Sequence, residues 1–211
     1  MERLYTRLAP VYGLWSRLNK TRARARALEV SRLQNGESVL EVAVGTGAFL
    51  SSLAEIAGLK RLVGVDLAAG MVRRAHGLLK LRGVARAQLC RTDARRLPLA
   101  NGAFDVLFNC YMLDLLPEDD IPEVLGEFRR VLKPSGRIVV LVMATQAKVL
   151  NAIWMGLYRI SPSLVAGCRP IPLSDSLTSS GWHVDLREQI SQSGFRSELF
   201  VARPSSRGPI P

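Results

Sequence analysis

Three segments of this chain are apolar at nearly every position, and stretches with helical spacing separate them. They span Val39–Val44, Leu62–Val65 and Ile138–Val142. A strand that is apolar on both faces is buried on both faces, which is typical of parallel sheets covered by helices. Strands that alternate with helices through short connections predict a doubly wound α/β fold.

The boundaries of the elements follow from apolar spacing, glycines and prolines. Helices are predicted over 16–33, 49–57, 68–81 and 121–132, and strands over 38–44, 61–66, 86–91, 103–109 and 137–143. Near the C-terminus, WHVDLREQIS and RSELFVARP flank QSGF, which predicts an antiparallel hairpin at the edge of the sheet. The expected fold is therefore a mostly parallel, seven-stranded α/β sheet with an antiparallel C-terminal hairpin.

Gly45 and Gly47 follow the first predicted strand and precede the next helix. In open α/β sheets, ligands bind at the carboxyl ends of the strands. Glycines there allow unusual backbone angles and let a ligand approach the main chain. The free N–H groups at the start of a helix suit a phosphate or a carboxylate.

An acidic residue, Asp66, ends the second predicted strand, 21 residues after Gly45. An acid at about this distance is the usual partner of a nucleoside ribose. The dinucleotide fingerprint has a third glycine where this chain has Leu50, which counts against NAD without excluding it. An NAD(P)-dependent oxidoreductase and a non-catalytic nucleoside-binding module therefore stay open as alternatives.

Four segments resemble one family in both order and spacing. They are VLEVAVGTGAF, VGVDLAAGMVRRA, RTDARRLPLANGAFDVLF and EFRRVLKPSGRIVVL, within 39–142. Together they resemble the class I S-adenosylmethionine-dependent methyltransferases, and most of all the UbiE-like set for ubiquinone, menaquinone and small molecules. YTRLAPVYGLWSRL near the start is similar to the family's N-terminal segment. The resemblance implies a Rossmann-like methyltransferase that uses S-adenosyl-L-methionine and releases S-adenosyl-L-homocysteine.

The resemblance also assigns residues to the cofactor. Glu41, Gly45 and Gly47 fall on the first motif, which holds the methionine end. Asp66 falls on the acid that hydrogen-bonds the ribose hydroxyls. The chain departs from the family at Ala43, where a glycine is usual, and we expect the methyl group to be tolerated.

Further positions are implied for the adenine. Leu67 and Met71 match residues that pack against the ring, while Asp93 and the Ala94 backbone N–H match the partners of its polar edge. Asn109 lies at the end of the fourth strand, where the family's backbone faces the amino-acid part of the cofactor.

Methyl transfer from a sulfonium is an in-line displacement with a good leaving group, so the protein mainly positions and desolvates the reactants. A general base is needed only where the acceptor must lose a proton. Tyr5, Tyr12, Tyr111, Asp114 and His183 are candidates, and the sequence identifies none of them as the base. No pattern of metal ligands is present, and Cys90, Cys110 and Cys168 are too scattered for a zinc site or a disulfide framework.

The segment 147–172 repeats apolar residues at helical spacing, which fits either core packing or an apolar substrate channel. An early basic segment comprises Arg17, Lys20, Arg22, Arg24, Arg26 and Arg32. Together they favour a small-molecule or lipid-like acceptor, a quinone precursor or a phospholipid amine, met at an anionic membrane surface. A solvated helix face is the alternative for the basic segment.

These features suggest a domain plan. Residues 1–34 would form a helical cap over the active site, 35–203 the cofactor-binding domain with a lid at about 145–180, and 204–211 a disordered tail. The scattered cysteines indicate a reducing cytoplasm, with peripheral membrane contact. Despite a net charge of +11, a nucleic-acid substrate is not favoured, because NCYM stands where base methyltransferases have an NPPY-like tetrapeptide. The sequence gives no information on the oligomeric state.

Overall fold

The computed structural model describes residues 21–144, 170–192 and 195–205, the last range without the Phe195 side chain. Its strands are β1 Ser38–Val42, β2 Arg61–Asp66, β3 Ala87–Arg91, β4 Phe104–Cys110, β5 Leu132–Met143, β6 Trp182–Gln192 and β7 Phe195–Pro204. Its helices are α1 (residues 21–31), α2 Ala48–Ala54, α3 Ala69–Leu81, α4 Ile121–Val131 and α5 Leu173–Ser179. Two short 3-10 helices, Leu113–Leu115 and Glu118–Asp120, lie before α4.

The seven strands form one sheet in the order β3-β2-β1-β4-β5-β7-β6. The first five are parallel, and β7 runs antiparallel to both β5 and β6. The predicted fold class and the C-terminal hairpin at the sheet edge are therefore confirmed. In this order β1 lies between β2 and β4, so the chain leaves the centre of the sheet in two directions, as at the ligand sites of open α/β folds.

Each face of the sheet is covered by its own helices. One core includes Ala27 of α1, Phe49 of α2 and Ala75 of α3. The other includes Phe128 of α4 and Leu177 of α5. Neighbouring residues of β1 belong to different cores because successive strand side chains point to opposite faces. This two-sided burial explains why the central strands lack the alternation of a half-exposed sheet.

The structure corrects the predicted end of the first strand. Strand β1 ends at Val42, not at Val44, because Ala43 takes a left-handed backbone angle (φ 65°). The N–H groups of Ala43 and Val44 then both reach the Val65 carbonyl oxygen, at 2.8 and 3.1 Å. The loop toward the glycines therefore begins two residues earlier than the apolar run indicates.

Other boundaries move by a few residues. Helix α2 ends at Ala54, three residues before its predicted end, and β5 begins at Leu132 rather than at 137, with an irregular register against β4. Most of the proposed lid, most of the proposed tail and the first part of the proposed cap lie outside the described residues. Within the described ranges, no helix is long and apolar enough to cross a bilayer.

Candidate active site

A cleft opens at the carboxyl ends of β1, β2 and β4. Its wall combines the last residues of these strands and the loops that follow β1 to β4 with single side chains of α1, α3 and α4. The lining residues are Arg24, Val42, Ala43, Val44, Gly45, Thr46, Val65, Asp66, Leu67, Ala68, Met71, Thr92, Asp93, Ala94, Cys110, Tyr111, Met112, Leu115, Leu116 and Val124. Most of these side chains are apolar, and the charged ones are few. This composition is typical of a site for a small organic ligand with a few polar groups that fix its orientation.

The two loop glycines have different physical roles. Both have left-handed backbone angles, φ 56° at Gly45 and 79° at Gly47. A Cβ at Gly47 would lie 2.8 Å from the Ala75 Cα, so Gly47 lets the start of α2 pack against α3. A Cβ at Gly45 would meet no atom of the described residues within 4 Å apart from its chain neighbours, because Gly45 faces the cleft. The space beside Gly45 is therefore open to a ligand.

Asp66 connects the two loops that form the centre of the cleft. Its Oδ2 accepts the Gly45 N–H at 2.8 Å, and its Oδ1 accepts the Ala68 N–H at 2.9 Å. Burial raises the pKa of this carboxyl, while the backbone hydrogen bonds from Ala68, Gly45 and Leu67 oppose the shift. Each carboxylate oxygen has a further lone pair, so Asp66 can also accept from ligand hydroxyl groups.

Glu41 lies beneath the cleft on β1, only 1% exposed, and its Oε2 has no hydrogen-bond partner in the described part of the chain. Burial raises the pKa of its carboxyl to about 8, with the nearby charge of Arg24 opposing the shift and that of Asp66 adding to it. A buried carboxyl without a donor costs stability, because it loses hydration and gains nothing in return. Such a group points to a ligand cation that would complete the site.

Arg24 was not predicted as a site residue. It extends from α1 into the cleft lining, and its Nε is buried without a partner among the described residues. The sequence groups it with the other early cations, which suggested a surface face. The signal that could have identified it is helical spacing, because Arg24 precedes Ala27 and Leu28 by three and four positions, on the side that packs inward.

The predicted adenine residues line one end of the cleft. Leu67 is 47% exposed and Met71 is buried, so the two form a partly open apolar wall. Asp93 and Ala94 lie nearby. The Asp93 carboxylate receives the Arg95 guanidinium at 2.7 Å and the Arg95 backbone N–H at 3.0 Å, and the side-chain bond lowers the pKa of Asp93. Arg95 thus keeps Asp93 ionised and fixes its position.

Asn109 lies behind the cleft, as Glu41 and Gly47 do. It is fully buried, and its Nδ2 donates to the Val42 carbonyl oxygen at 3.0 Å, which braces the last residue of β1. Its Oδ1 has no partner among the described residues. The next residue, Cys110, is the one that lines the cleft.

Two of the candidate bases have structural partners. The Tyr111 hydroxyl is 2.6 Å from the Ser197 Oγ, and burial raises the pKa of Tyr111. Tyr111 also has a left-handed backbone angle (φ 61°), which a bulky residue adopts only where its surroundings hold it. Asp114 is fully buried, and its Oδ2 accepts the Met143 N–H at 3.1 Å. These contacts favour positioning over proton transfer.

His183 does not contribute to the cleft. It is 75% exposed, 3.8 Å from Asp185, at the start of the edge strand β6. Since β6 is parallel to β5 through the intervening antiparallel strand, its first residues lie at the end of the sheet opposite the cleft. Tyr5 and Tyr12 lie outside the described residues. The parts of the chain that the structure describes contain no cluster of three residues able to ligate a metal.

Comparison with known proteins identifies the family. Residues 39–136 match the family model described as a methyltransferase domain. The ubiquinone/menaquinone biosynthesis C-methyltransferase UbiE of Syntrophotalea carbinolica is 31% identical over 206 residues, which make up 92% of this chain and 84% of that protein. The chain belongs to the class I S-adenosylmethionine-dependent methyltransferases, in the UbiE-like group.

This methyltransferase has further relatives. The demethylmenaquinone methyltransferase of Thermus thermophilus is 33% identical over 142 residues, which cover 65% of this chain and 63% of that protein, less than two thirds of its length. The solved structure of an S-adenosylmethionine-dependent methyltransferase from Aquifex aeolicus superposes on this chain with a TM-score of 0.64 at 18% identity. The superposition covers 85% of this chain and 89% of that protein, and it supports the fold. The family's cofactor is S-adenosylmethionine, so the oxidoreductase alternative is not retained.

The residues of the cleft fit this cofactor. Its methionine end carries an ammonium and a carboxylate. The Glu41 Oε2 could accept from the ammonium and the Arg24 Nε could donate to the carboxylate, and both atoms are buried without a partner in the part of the chain that the structure describes. Asp66 and the open space beside Gly45 fit a ribose near the backbone. Leu67 and Met71 offer the apolar surface that an adenine ring requires.

Proposed function

We propose that this methyltransferase transfers the methyl group of S-adenosylmethionine to a quinone precursor with an apolar body. The observation that carries the proposal is a pair of groups of opposite charge type, the buried Glu41 carboxyl and the Arg24 guanidinium, at a cleft whose wall is otherwise mostly apolar. The Glu41 Oε2 and the Arg24 Nε have no hydrogen-bond partner among the described residues. Of the proteins named above, those of Syntrophotalea carbinolica and Thermus thermophilus are methyltransferases of quinone biosynthesis by name. A phospholipid amine, the other acceptor that the sequence left open, has no support from them.

The bound cofactor would supply a methyl group on a positively charged sulfur. The chain's own residues bind and orient the reactants: Asp66 holds the sugar, Glu41 the ammonium and Arg24 the carboxylate. Arg24 comes from α1, so this helix would contribute directly to donor binding as well as covering the cleft.

The acceptor would lie against the apolar wall formed by Met112, Leu115, Leu116 and Val124, beyond the end of β4. This wall excludes water from the path of the methyl group, and a desolvated, aligned nucleophile reacts faster. A hydroquinone can ionise at its own hydroxyl group, which makes the ring carbon nucleophilic. The described residues of the cleft offer no free base, so positioning is their main contribution to the rate.

The proposal is tested by incubating the purified protein with S-adenosylmethionine and a reduced short-chain demethylnaphthoquinone, and detecting the methylated product by mass spectrometry. Vesicles that contain phosphatidylethanolamine serve as the competing acceptor. Methylation of the hydroquinone alone is expected. Methylation of the lipid amine alone, or of neither acceptor while the cofactor binds, would contradict the assignment of the acceptor.

The role of Arg24 is tested separately with Arg24→Gln and a matched control, Arg22→Gln, on the exposed side of the same helix. A hydrogen bond to a charged group contributes about 1.5–3 kcal/mol, so Arg24→Gln should raise the Kd for S-adenosylhomocysteine about 10- to 100-fold. The control variant should bind as the wild type does. Equal affinity of the two variants in calorimetry would remove Arg24 from the donor site.

A further inference from the structure

Besides the early basic segment, positive charge is concentrated in a second continuous part of the chain. Between Leu67 and Phe104 there is a single acidic residue, Asp93, against eight basic ones: Arg73, Arg74, Lys80, Arg82, Arg86, Arg91, Arg95 and Arg96. This part comprises α3, the edge strand β3 and the loop that follows. It holds a surplus of seven positive charges out of a net +11 for the whole chain.

The opposite face of the sheet has the reverse sign. The short turn before α4 and α4 itself hold Glu118, Asp119, Asp120, Glu123 and Glu127, against only Arg129 and Arg130. Helix α4 packs in one core and α3 in the other, so the acids of α4 and the cations of α3 lie on different faces of the sheet. Arg95, in the loop after β3, instead pairs with Asp120 at 3.1 Å. A merely arginine-rich composition would spread the charge, whereas this distribution would orient the protein toward a polyanionic surface.

The cations of α3 are available for binding. Met71, Ala75 and Leu79 form the buried side of this helix. Arg73, Arg74 and Lys80 are exposed and make no hydrogen bond or ion pair with the described residues, and Leu81 after them is 87% exposed. We call Arg73, Arg74, Lys80 and Leu81 the α3 basic face.

By contrast, the early basic segment is partly used within the molecule. Arg24 extends into the cleft. Arg26 forms ion pairs with Glu29 at 2.8 Å and with Glu188 at 2.9 Å. These two cations are therefore less available to a partner than the sequence suggested.

We propose that the α3 basic face docks on an anionic lipid bilayer. The inference rests on the proposed function, because a quinone precursor with an apolar body dissolves in lipid. Leu81 beside the cations favours a bilayer over a nucleic acid, since an exposed leucine gains from insertion at the lipid interface. The face runs along the exposed side of α3, from Arg73 in the part of the helix whose Met71 lines the cleft to Leu81 at the other end of the helix.

The test uses a triple variant that combines Arg73→Gln, Arg74→Gln and Lys80→Gln. Its control has the same net charge and combines Arg129→Gln, Arg196→Gln and Arg203→Gln. Binding is measured by co-sedimentation with vesicles of phosphatidylcholine, with and without about a third phosphatidylglycerol. Each cation near an anionic surface contributes about 1 kcal/mol, roughly fivefold in affinity, so the triple variant should lose about 100-fold. The control should retain most of the wild-type binding, and Leu81→Ser should weaken binding further.

Several outcomes would overturn the docking proposal. Equal vesicle binding by the triple variant and the control would do so. Complete loss of vesicle binding in a variant changed only at Arg17 and Lys20 would also do so. Binding to RNA or duplex DNA that depends on the α3 basic face, with no binding to vesicles, would assign the face to nucleic acid. Turnover of a water-soluble short-chain acceptor is measured in parallel. If the triple variant keeps this turnover but no longer binds vesicles, docking and catalysis are separable. If the wild type itself does not turn over this acceptor, the proposed function fails, whatever the vesicle binding shows.

Discussion

Glu41 should make the ligand-free protein less stable as the pH rises. Its pKa is about 8 in the folded state against an ordinary value of 4.5, chiefly because of burial. Between these two values the folded protein holds one proton that the unfolded chain releases, so the stability contributed by this group is fully present below pH 4.5 and is lost as the pH approaches 8. At pH 7 the difference amounts to about 3 kcal/mol, and at pH 5 to less than about 1 kcal/mol.

The substitution Glu41→Gln isolates this effect, because the amide has nearly the shape of the protonated carboxyl and does not ionise. At pH 7 we expect the free energy of unfolding of the variant to exceed that of the wild type by about 3 kcal/mol. This corresponds to a rise in Tm of about 6–12 °C for a chain of this size. At pH 5 the two proteins should nearly coincide. The assay is thermal and denaturant unfolding without cofactor at pH 5, 6, 7 and 8.

The same substitution should weaken binding of the methyl donor and of its product. An ionised Glu41 would pair with the ammonium of the cofactor, and losing such a charged hydrogen bond should raise the Kd for S-adenosylhomocysteine about 10- to 100-fold. Glu55→Gln, at an exposed acid that directly follows α2, is the control and should change neither property. A constant stability difference from pH 5 to 8, or unchanged donor affinity, would refute the assignment of Glu41 as a buried acid held for a ligand cation.

Three further substitutions test the loops around the cleft. Ala43→Gly should raise the free energy of unfolding by about 1 kcal/mol, because it relieves a left-handed angle at a residue with a Cβ, and a drop in stability would show that the angle carries no strain. Asp66→Asn should weaken S-adenosylhomocysteine binding more than tenfold in calorimetry, since one amide group cannot accept both backbone N–H donors and a ribose, and near-normal affinity would exclude Asp66 from the site. Tyr111→Phe should cost about 1 kcal/mol of stability through the lost bond to Ser197 while keeping kcat within a few-fold, and a kcat reduced a hundredfold would instead make Tyr111 catalytic.

The layered fold followed from local patterns alone. A strand that is apolar throughout, such as Ile138–Val142, is buried on both faces only inside a sheet that is covered on both sides. Because helices alternate with these strands, few architectures are compatible with the sequence. The position of Asp66 was also predictable, because the end of a strand is visible where the apolar run gives way to a turn. Both inferences depend on residues that are close in sequence.

Features that depend on distant contacts were not predictable. The end of β1 at Val42 follows from the carbonyl of Val65 on the neighbouring strand, which draws Ala43 out of the extended conformation. His183 is a candidate from the sequence because histidines often transfer protons, and only the direction of β6 places it at the far end of the sheet. Pairing between remote strands, rather than propensity, decides both positions.

The Glu41 Oε2 and the Arg24 Nε, unpartnered within the described ranges, also bear on which nucleoside ligand fits the site. A dinucleotide would bring a pyrophosphate, which could satisfy Arg24 but would add negative charge near Glu41 and further disfavour its ionised form. A methionine zwitterion offers a carboxylate to Arg24 and an ammonium to Glu41 at once, and it removes the cost of leaving either group buried without a partner. Under the proposed function, a ligand that carries both charges on one small group would satisfy Glu41 and Arg24 together, and the methionine end of S-adenosylmethionine, which NAD lacks, is such a group.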